Sequence, residues 1–529
     1  MQYLPALRHR PQPVRDPLSI GAAIVTFVSQ AAGVVLAADA FAAAVFFTTA
    51  AVVGGGIVAA NTVLSGSQRQ STLTGGFGIA RQDSGLRVPV RQPIPPQRLV
   101  IGEVVTSGAL LWQRSDPPYI WLMYELASHR CGDLVSLIIN GQTVPLEDPG
   151  TGILRAKSAP FYDGSTRYIE LSYRNGLGAS QVIDPLVDRD FTTMPSTFRQ
   201  RRATTVCLKA NYGTTDDIHK SIYGSENNFN PLFHFQGALL PDPRKPMFDP
   251  DNESTWAAGS SNATLALIRY LLHPWPNMRL VQSSEIDWDR VAEAADIDDK
   301  WRGKADGTIE HNHTADGVIL STDDPLETVK ALCTAFDGIL INARGKYYTM
   351  PGDRRDPVMT LHQDMIAGAF EMQSEAADRA LINIVKTEFV APDREYNTVV
   401  GPVLRRNDLI ALDGRPLETT VTLPLTKGDA RAQRLANRKL LETRAARSLT
   451  GTFTIEARRL RAGDVVRVDF RDFPEVGGLY QVRRTMRDPS LATVQLELVA
   501  WSNDRFDWHA PTDQQDFELD DDVLEAEAA

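Results

Sequence analysis

A long apolar stretch near the N-terminus is the feature that most limits how this chain folds. Leu18–Ala38 and Ala40–Val63 contain no charged residue, and Asp39 lies between them. Each run is long enough to cross a bilayer as a helix of about 20 residues. Asp39 suits the turn between two helices, so we predict an apolar helical hairpin over residues 19–64, behind a leader of residues 1–18. A secretory signal does not account for the stretch, because its apolar region spans only about 7–15 residues and a second apolar run follows here at once.

The composition of this stretch leaves three interpretations open. It is rich in Ala and Gly, including Gly54–Gly56, so its affinity for lipid is modest, whereas small residues favour close packing of helices. The stretch is therefore a membrane anchor, a helix bundle buried in an assembly, or a segment stored in a particle and delivered to a membrane later. Its larger apolar side chains are the candidate channel-plug or membrane-inserting residues: Ile20, Val25, Val28, Val34, Leu36, Phe41, Val45, Phe46, Phe47, Val53, Ile57 and Val63.

The rest of the chain divides into several units. With 529 residues it is too long for one core, since single cores rarely exceed about 250–300 residues. The predicted fold is mainly β with an α+β insertion. We predict a flexible Gly- and Ser-rich linker at 65–88, β-rich domains (a barrel plus an inserted β domain) at 89–260, a small α+β domain at 261–360, a barrel-like domain at 361–505 and an acidic tail at 506–529.

Strands dominate the first β-rich region. Asn140-Gly141 joins two apolar runs and is a strong signal for a two-residue hairpin. Residues 212–260 are mainly Asn, Asp, Pro and Gly and are predicted as long loops. The predicted strands are Leu99–Val105, Trp121–Leu126, Leu134–Ile139, Gln142–Leu146, Tyr168–Tyr173 and Thr204–Asn211.

Helices are predicted where a capping residue precedes an apolar periodicity. Asn262 and Asp287 begin two of them, and Asp324 begins a third, with Pro325 at its first position and Glu327 able to complete a capping box. A hairpin follows, with its turn at Arg344-Gly345.

A fourth helix is predicted from Asp429 to Arg447, and one of its faces is basic. That face carries Arg431, Arg434, Arg438, Lys439 and Arg444. Two interpretations remain for this face, exposure to solvent or contact with another subunit.

No catalytic or metal-binding pattern emerges. Cys131, Cys207 and Cys333 are too far apart for a zinc site or a disulfide framework and are expected to be buried apolar residues. His311 and His313 lack a third ligand at useful spacing. Gly345-Lys346 lacks the spacing and the Ser or Thr of a phosphate loop, so it is a turn. We therefore expect no enzyme activity, no cofactor and no metal. The net charge of −11 argues against a general nucleic-acid binder.

Several short segments, in order along the chain, resemble the tail-tip attachment protein J family of lambda-like phages. They are Arg91–Arg98 (RQPIPPQR), Gly102, Ser107–Leu110, Asn262–Leu267, Leu271–Pro274, Leu326–Pro351, Ala432–Leu441 and Arg461–Val466. The resemblance extends from about Arg91 to Trp501. It implies a homotrimeric central hub in which two barrel-like domains per subunit form a pseudo-six-fold ring, adapting the six-fold tail tube to a three-fold tip.

The resemblance also implies a location and partners. We expect the chain in the virion at the distal tail tip, after synthesis in the host cytoplasm. The expected partners are the distal tail protein and tail tube ring, the tape measure protein, a separate receptor-binding fibre and the host membrane during ejection. DNA would pass through the lumen without specific binding. Long members of the family continue beyond the hub core, whereas this sequence ends soon after Trp501. The alternative is a membrane-anchored β-rich surface protein.

Overall fold

The computed structural model describes residues 35–37, 95–178, 180–213, 216–223, 229–276, 278–373, 381–392, 396–444, 447–488 and 492–515. The linker and most of the predicted helical hairpin and acidic tail lie outside these residues. The described part of the hairpin is strand β1, Val35–Ala37, which pairs antiparallel with Ile339–Ile341. At these three residues the prediction of a helix is wrong. The domain boundaries stay predictions.

The first third of the described chain is built from two antiparallel sheets. The strands are β2 Arg98–Ile101, β3 Glu103–Thr106, β4 Ala109–Asp116, β5 Tyr119–Ala127, β6 Leu134–Ile139, β7 Gln142–Val144, β8 Leu146–Glu147, β9 Leu154–Ala156, β10 Ile169–Asn175, β11 Thr204–Asn211 and β12 Pro231–Gln236, and the helices are α1 Pro185–Asp190 and α2 Asp216–Tyr223. The strand orders of the two sheets are β4-β5-β11-β10-β9-β8 and β3-β12-β6-β7. Apolar side chains from both sheets share one core, which includes Tyr124, Leu208 and Phe233.

Two sequence predictions for this region need correction. The single strand predicted over 99–105 is two strands, because Gly102 adopts φ +66° and turns the chain. A Cβ there would lie 2.1 Å from Asp316 Oδ1, so only glycine fits. The predicted long loop at 212–260 contains α2 and β12, and β12 lies in the middle of its sheet. The hairpin at Asn140-Gly141 is confirmed, with φ of 50° and 79° at the two residues.

The middle of the described chain combines helices and strands. Its helices are α3 Ala263–Leu272, α4 Trp288–Asp298 and α5 Pro325–Ala335, and its strands are β13 Trp301–Gly303, β14 Ile309–His311, β15 Gly317–Leu320, β16 Ile339–Ala343 and β17 Lys346–Met350. The caps predicted at Asn262 and Asp324 are confirmed, and the helix predicted after Asp287 begins there. Each of the three side chains accepts a hydrogen bond from a backbone N–H of the first turn. The Glu327 carboxylate binds Lys330 at 2.8 Å, whereas the sequence suggested that it caps its own helix.

The core of this unit extends past the predicted boundaries. It includes Leu99 and Leu240 from the first third and Leu425 from the last third. Strand β15 also pairs with β2, the first strand of the globular part. Ala263 through Leu271 are all buried, so helix α3 is enclosed on all sides.

The last third contains a six-stranded half-barrel sheet and a smaller sheet covered by a helix. The strands are β18 Met359–His362, β19 Ile366–Gln373, β20 Ile384–Ala391, β21 Asn397–Val400, β22 Leu404–Arg405, β23 Glu418–Lys427, β24 Ser448–Thr454, β25 Val465–Asp469, β26 Gly478–Asp488 and β27 Thr493–Ala500, and the helices are α6 Asn407–Asp413, α7 Asp429–Arg444 and α8 Ala510–Asp513. The large sheet has the order β18-β25-β26-β27-β24-β19, and in the small one β20 pairs with β21, β22 and β23. The prediction of a mainly β fold with an α+β part is confirmed for the described residues.

Candidate assembly site on the arginine helix

Helix α7 (Asp429–Arg444), the arginine helix, is buried on both its apolar and its basic side. Its apolar side packs Ala432 and Leu435 against the small sheet. On its basic side Arg431, Arg434 and Arg438 are 6%, 3% and 3% exposed. Neither sequence interpretation of this face is correct for these three arginines, because the chain's own middle unit covers them.

The three arginines hold an irregular segment that connects β14 to β15. Arg431 donates to the backbone oxygen of His311 at 3.0 Å and to Thr314 Oγ1 at 2.9 Å. Arg434 forms an ion pair with Glu310 and donates to the backbone oxygen of Asn312 at 3.3 Å. Buried carbonyls without a partner are costly, so the guanidinium groups replace the hydrogen bonds that a sheet would supply.

At the centre of this contact His313 and Asp298 are fully buried. Arg438 donates to His313 Nε2 at 2.7 Å, and His313 Nδ1 lies 2.8 Å from Asp298 Oδ1. Since a guanidinium only donates, Nε2 must accept, which places the ring proton on Nδ1 and makes His313 neutral. Burial, together with Arg438, lowers the pKa of His313 well below its usual value, in agreement with the neutral ring. Burial likewise raises the pKa of Asp298.

The two histidines that were considered as metal ligands, His311 and His313, make separate contacts. His311 stacks on Trp301 at 4.1 Å between ring centroids, and its Nδ1 lies 3.1 Å from the backbone oxygen of Asp299. His313 is engaged as described above, so the two rings have different partners. Within the described ranges, no three His, Cys, Asp or Glu side chains are grouped to hold a metal ion.

The two-stranded ribbon β13–β14 lies over the arginine helix with its charged side inward. Arg302 and Glu310 are paired across the ribbon. Arg302 Nη2 donates to Asp353 Oδ1 at 3.2 Å, and Glu310 forms an ion pair with Arg434. On the other side of the ribbon Trp301 is 61% and Ile309 60% exposed. Large apolar side chains held out to solvent on a braced ribbon are typical of an interaction surface. Neither residue was predicted as part of a site, although both alternate with a charged residue, Arg302 or Glu310, along their strands.

Two long strands form exposed sheet edges. Strand β4 has β5 as its only neighbour, and β19 has β24 as its only neighbour, among the strands that the structure describes. Most residues of both strands are exposed or half-buried, and Leu111 of β4 is 43% exposed. An open edge presents unpaired N–H and C=O groups to another chain. These two edges and the Trp301–Ile309 surface are the candidate assembly sites.

The structure describes only some of the other residues that the sequence singled out. Leu36 lies in β1, opposite Leu340, whereas the other eleven candidate plug residues lie outside the described part of the chain. All three cysteines are buried free thiols whose pKa burial raises. Gly345 and Lys346 lie in a hairpin, as predicted. None of the described helices combines the length and apolarity needed to cross a bilayer.

Comparison with known proteins points to phage tails. Residues 324–485 match the model of a family described as putative phage tail protein. The virion of a native gene transfer agent particle contains a chain with 16% identity and a TM-score of 0.50, and the match covers 84% of this chain and 91% of that one. At this identity the likeness concerns the fold alone. A search of curated proteins finds no significant match.

Two tail proteins from prophages match with lower structural scores. The 43 kDa tail protein of prophage MuSo2 from Shewanella oneidensis is 12% identical, with coverage of 77% and 96% and a TM-score of 0.27. Tail protein gp18 of a Listeria monocytogenes EGD-e prophage is 10% identical, with coverage of 72% and 84% and a TM-score of 0.25. Scores this low carry no structural argument. The family match is what supports a phage tail structural protein.

Proposed function

We propose that this chain is the central hub at the distal tip of a long-tailed phage tail and acts as a structural protein without enzyme activity. In this proposal three copies form a ring that adapts a six-fold tail tube to a three-fold tip. The observation that supports this most is that the described residues form two separate six-stranded sheets, each bordered by a long exposed strand, β4 in one and β19 in the other. Three copies supply 3 × 2 = 6 such sheets, the number that a six-fold tube requires.

The exposed edges give the ring a physical basis. A ring pairs or covers strand edges that would otherwise promote uncontrolled association. The Trp301–Ile309 surface would add an apolar contact to a neighbouring copy or tail protein. Because Glu310 binds the ribbon to Arg434 of the arginine helix and Arg302 binds it to Asp353, this surface is held in place before assembly.

The proposed position defines the partners. The ring would contact the distal tail protein and tube ring above, the tape measure protein at the axis and a separate receptor-binding fibre outside. Three copies carry 3 × (−11) = −33 formal charges, and a negative lumen would let DNA pass without specific binding. The comparisons give no support to the alternative of a membrane-anchored surface protein.

The apolar N-terminal stretch would close the channel until ejection and then reach the host membrane. Deleting residues 19–63 should then give leaky or non-infectious particles that still contain the hub. Intact and fully infectious particles from this deletion would contradict the role in closure without affecting the proposal of a hub.

The decisive experiment is a cryo-EM reconstruction of purified tail tips without imposed symmetry. We expect three copies around the axis below the six-fold tube. Absence from the particle, or a position away from the axis, would refute the proposal.

Edge contacts are tested separately in solution. Leu111→Lys places a charge on the β4 edge and should reduce the trimer fraction in light scattering after size-exclusion chromatography. Val182→Lys is the matched control, since Val182 is 56% exposed and lies outside both edge strands. Equal trimer fractions for the two variants would argue against a contact at β4.

A further inference from the structure

A cavity lies where four elements of different parts of the fold meet. Its volume is ≈ 360 Å³, and α5, β23, α7 and β26 contribute to its walls. This volume lies within the range of small-molecule sites, about 300–1,000 Å³. The cavity is separate from the candidate assembly sites, and its interpretation does not depend on the proposed function.

The cavity is lined by charged groups in which cations outnumber carboxylates. Lys330 pairs with Glu327 at 2.8 Å. Arg505 lies 3.7 Å from both Asp337 and Glu442. The four lining cations are Lys330, Lys439, Arg483 and Arg505, and the three lining carboxylates are Glu327, Asp337 and Glu442. One positive charge is therefore left over.

Arg483 supplies that surplus charge. It forms no ion pair with a carboxylate among the described residues, and its buried Nε has no hydrogen-bond partner there. The buried Nε of Arg505 also lacks a partner. Burial lowers the pKa of Arg483, and Glu442 and Glu497 partly offset this effect at longer range. Buried guanidinium N–H groups are normally satisfied, because an unmade hydrogen bond from a charged group is expensive.

The Glu442 carboxylate in the cavity wall does not supply the hydrogen-bond acceptor that Arg483 lacks. Burial disfavours the charged form of Glu442, but Lys439, Arg505 and Arg483 together lower its pKa. Glu442 is thus already ionised and shared between Lys439 at 3.7 Å and Arg505 at 3.7 Å. The guanidinium of Arg483 therefore lines the cavity without a carboxylate partner of its own in the wall.

We propose that the cavity binds a small oxyanion of the phosphate class, with Arg483 as its main ligand and Arg505 and Lys439 beside it. Arginine suits this role because its planar N–H groups match the oxygens of such anions. The bound anion would join the half-barrel sheet, through Arg483, to the arginine helix, through Lys439. Its function would be to fix the orientation of these units.

Isothermal titration of the full chain with inorganic phosphate at low ionic strength tests this proposal. We expect one saturable site per chain and sulfate as a competitor. Arg483→Met keeps the apolar stem of the side chain and should weaken phosphate binding at least tenfold. Arg467→Met is the matched control, because Arg467 is exposed on the neighbouring strand β25, and it should bind phosphate as the wild type does.

Two results would overturn the proposal. One is the absence of saturable phosphate binding by the wild type. The other is equal binding by Arg483→Met and wild type, with the variant folded by circular dichroism. Should Arg483→Met fail to fold, Lys439→Met replaces it, and phosphate affinity within a factor of two of wild type would then contradict the proposed ligand set.

Discussion

Replacing Arg438 by methionine should destabilise the protein because a buried network loses its donor. The Arg438 guanidinium donates to His313 Nε2 at 2.7 Å and to the backbone oxygen of Gly352 at 3.4 Å, and it lies 4.0 Å from Asp337. Methionine retains the apolar stem but leaves the His313 nitrogen and the Gly352 carbonyl without this donor. Breaking a buried charged contact costs about 3–5 kcal/mol, and Arg505 still faces Asp337 at 3.7 Å, so we expect about 3 kcal/mol.

The assay is unfolding followed by tryptophan fluorescence and circular dichroism. At about 2–4 °C per kcal/mol for a unit of this size, the first thermal midpoint should fall by about 6–12 °C. Arg471→Met is the matched control, since Arg471 is exposed and exposed substitutions change stability by less than about 0.5 kcal/mol. Arg438→Lys should give an intermediate loss, because lysine keeps the charge but not the planar set of donors. A loss below about 0.5 kcal/mol for Arg438→Met would refute the assigned role of this network.

Three further predictions concern pH, the ribbon and a turn. Burial lowers the pKa of His129, His273 and His313 in the folded state. Below about pH 6.5, protons therefore bind mainly to the unfolded chain. Stability should therefore fall between about pH 7 and 5 by up to about 2 kcal/mol per histidine, partly offset by the raised pKa of Asp298; unchanged urea midpoints would contradict this. Trp301→Ser removes a ring that stacks on His311 but is 61% exposed, so it should cost the isolated chain no more than about 1 kcal/mol while reducing assembly into tails; normal tail yields would contradict a contact there. Gly102→Ala should cost more than about 1 kcal/mol and more than Gly150→Ala, where φ is also positive but no atom lies within 4 Å of the added Cβ; equal midpoints would exclude the clash with Asp316.

Local signals in the sequence predicted local structure well. Asn262, Asp287 and Asp324 begin helices as expected, and Asn140-Gly141 and Arg344-Gly345 form hairpin turns. These features depend on a few neighbouring backbone groups, so no distant contact is needed to specify them.

Two strand predictions were wrong where segments distant in sequence pack together. Strand β12 was missed because Leu232, Phe233 and Phe235 form a short apolar run among loop-forming residues. Its place between β3 and β6 depends on pairing with segments roughly a hundred residues away in sequence. The prediction of a single strand over 99–105 was wrong for a related reason. Asp316, which lies beside Gly102, comes from a segment more than two hundred residues later, and only the tertiary structure brings the two together.

The basic helix shows most clearly what the sequence determined by itself and what the tertiary structure decided. The sequence determined a helix from Asp429 with arginines on one side and apolar residues on the other. Only the fold brought the segment around His311–Thr314, more than a hundred residues earlier, onto those arginines. Helical periodicity specifies which side chains share a face, but the cost of burying a charge is met by whichever acceptors pack against that face. For the same reason the ribbon that exposes Trp301 and the cavity beside Arg483 exist only in the folded chain.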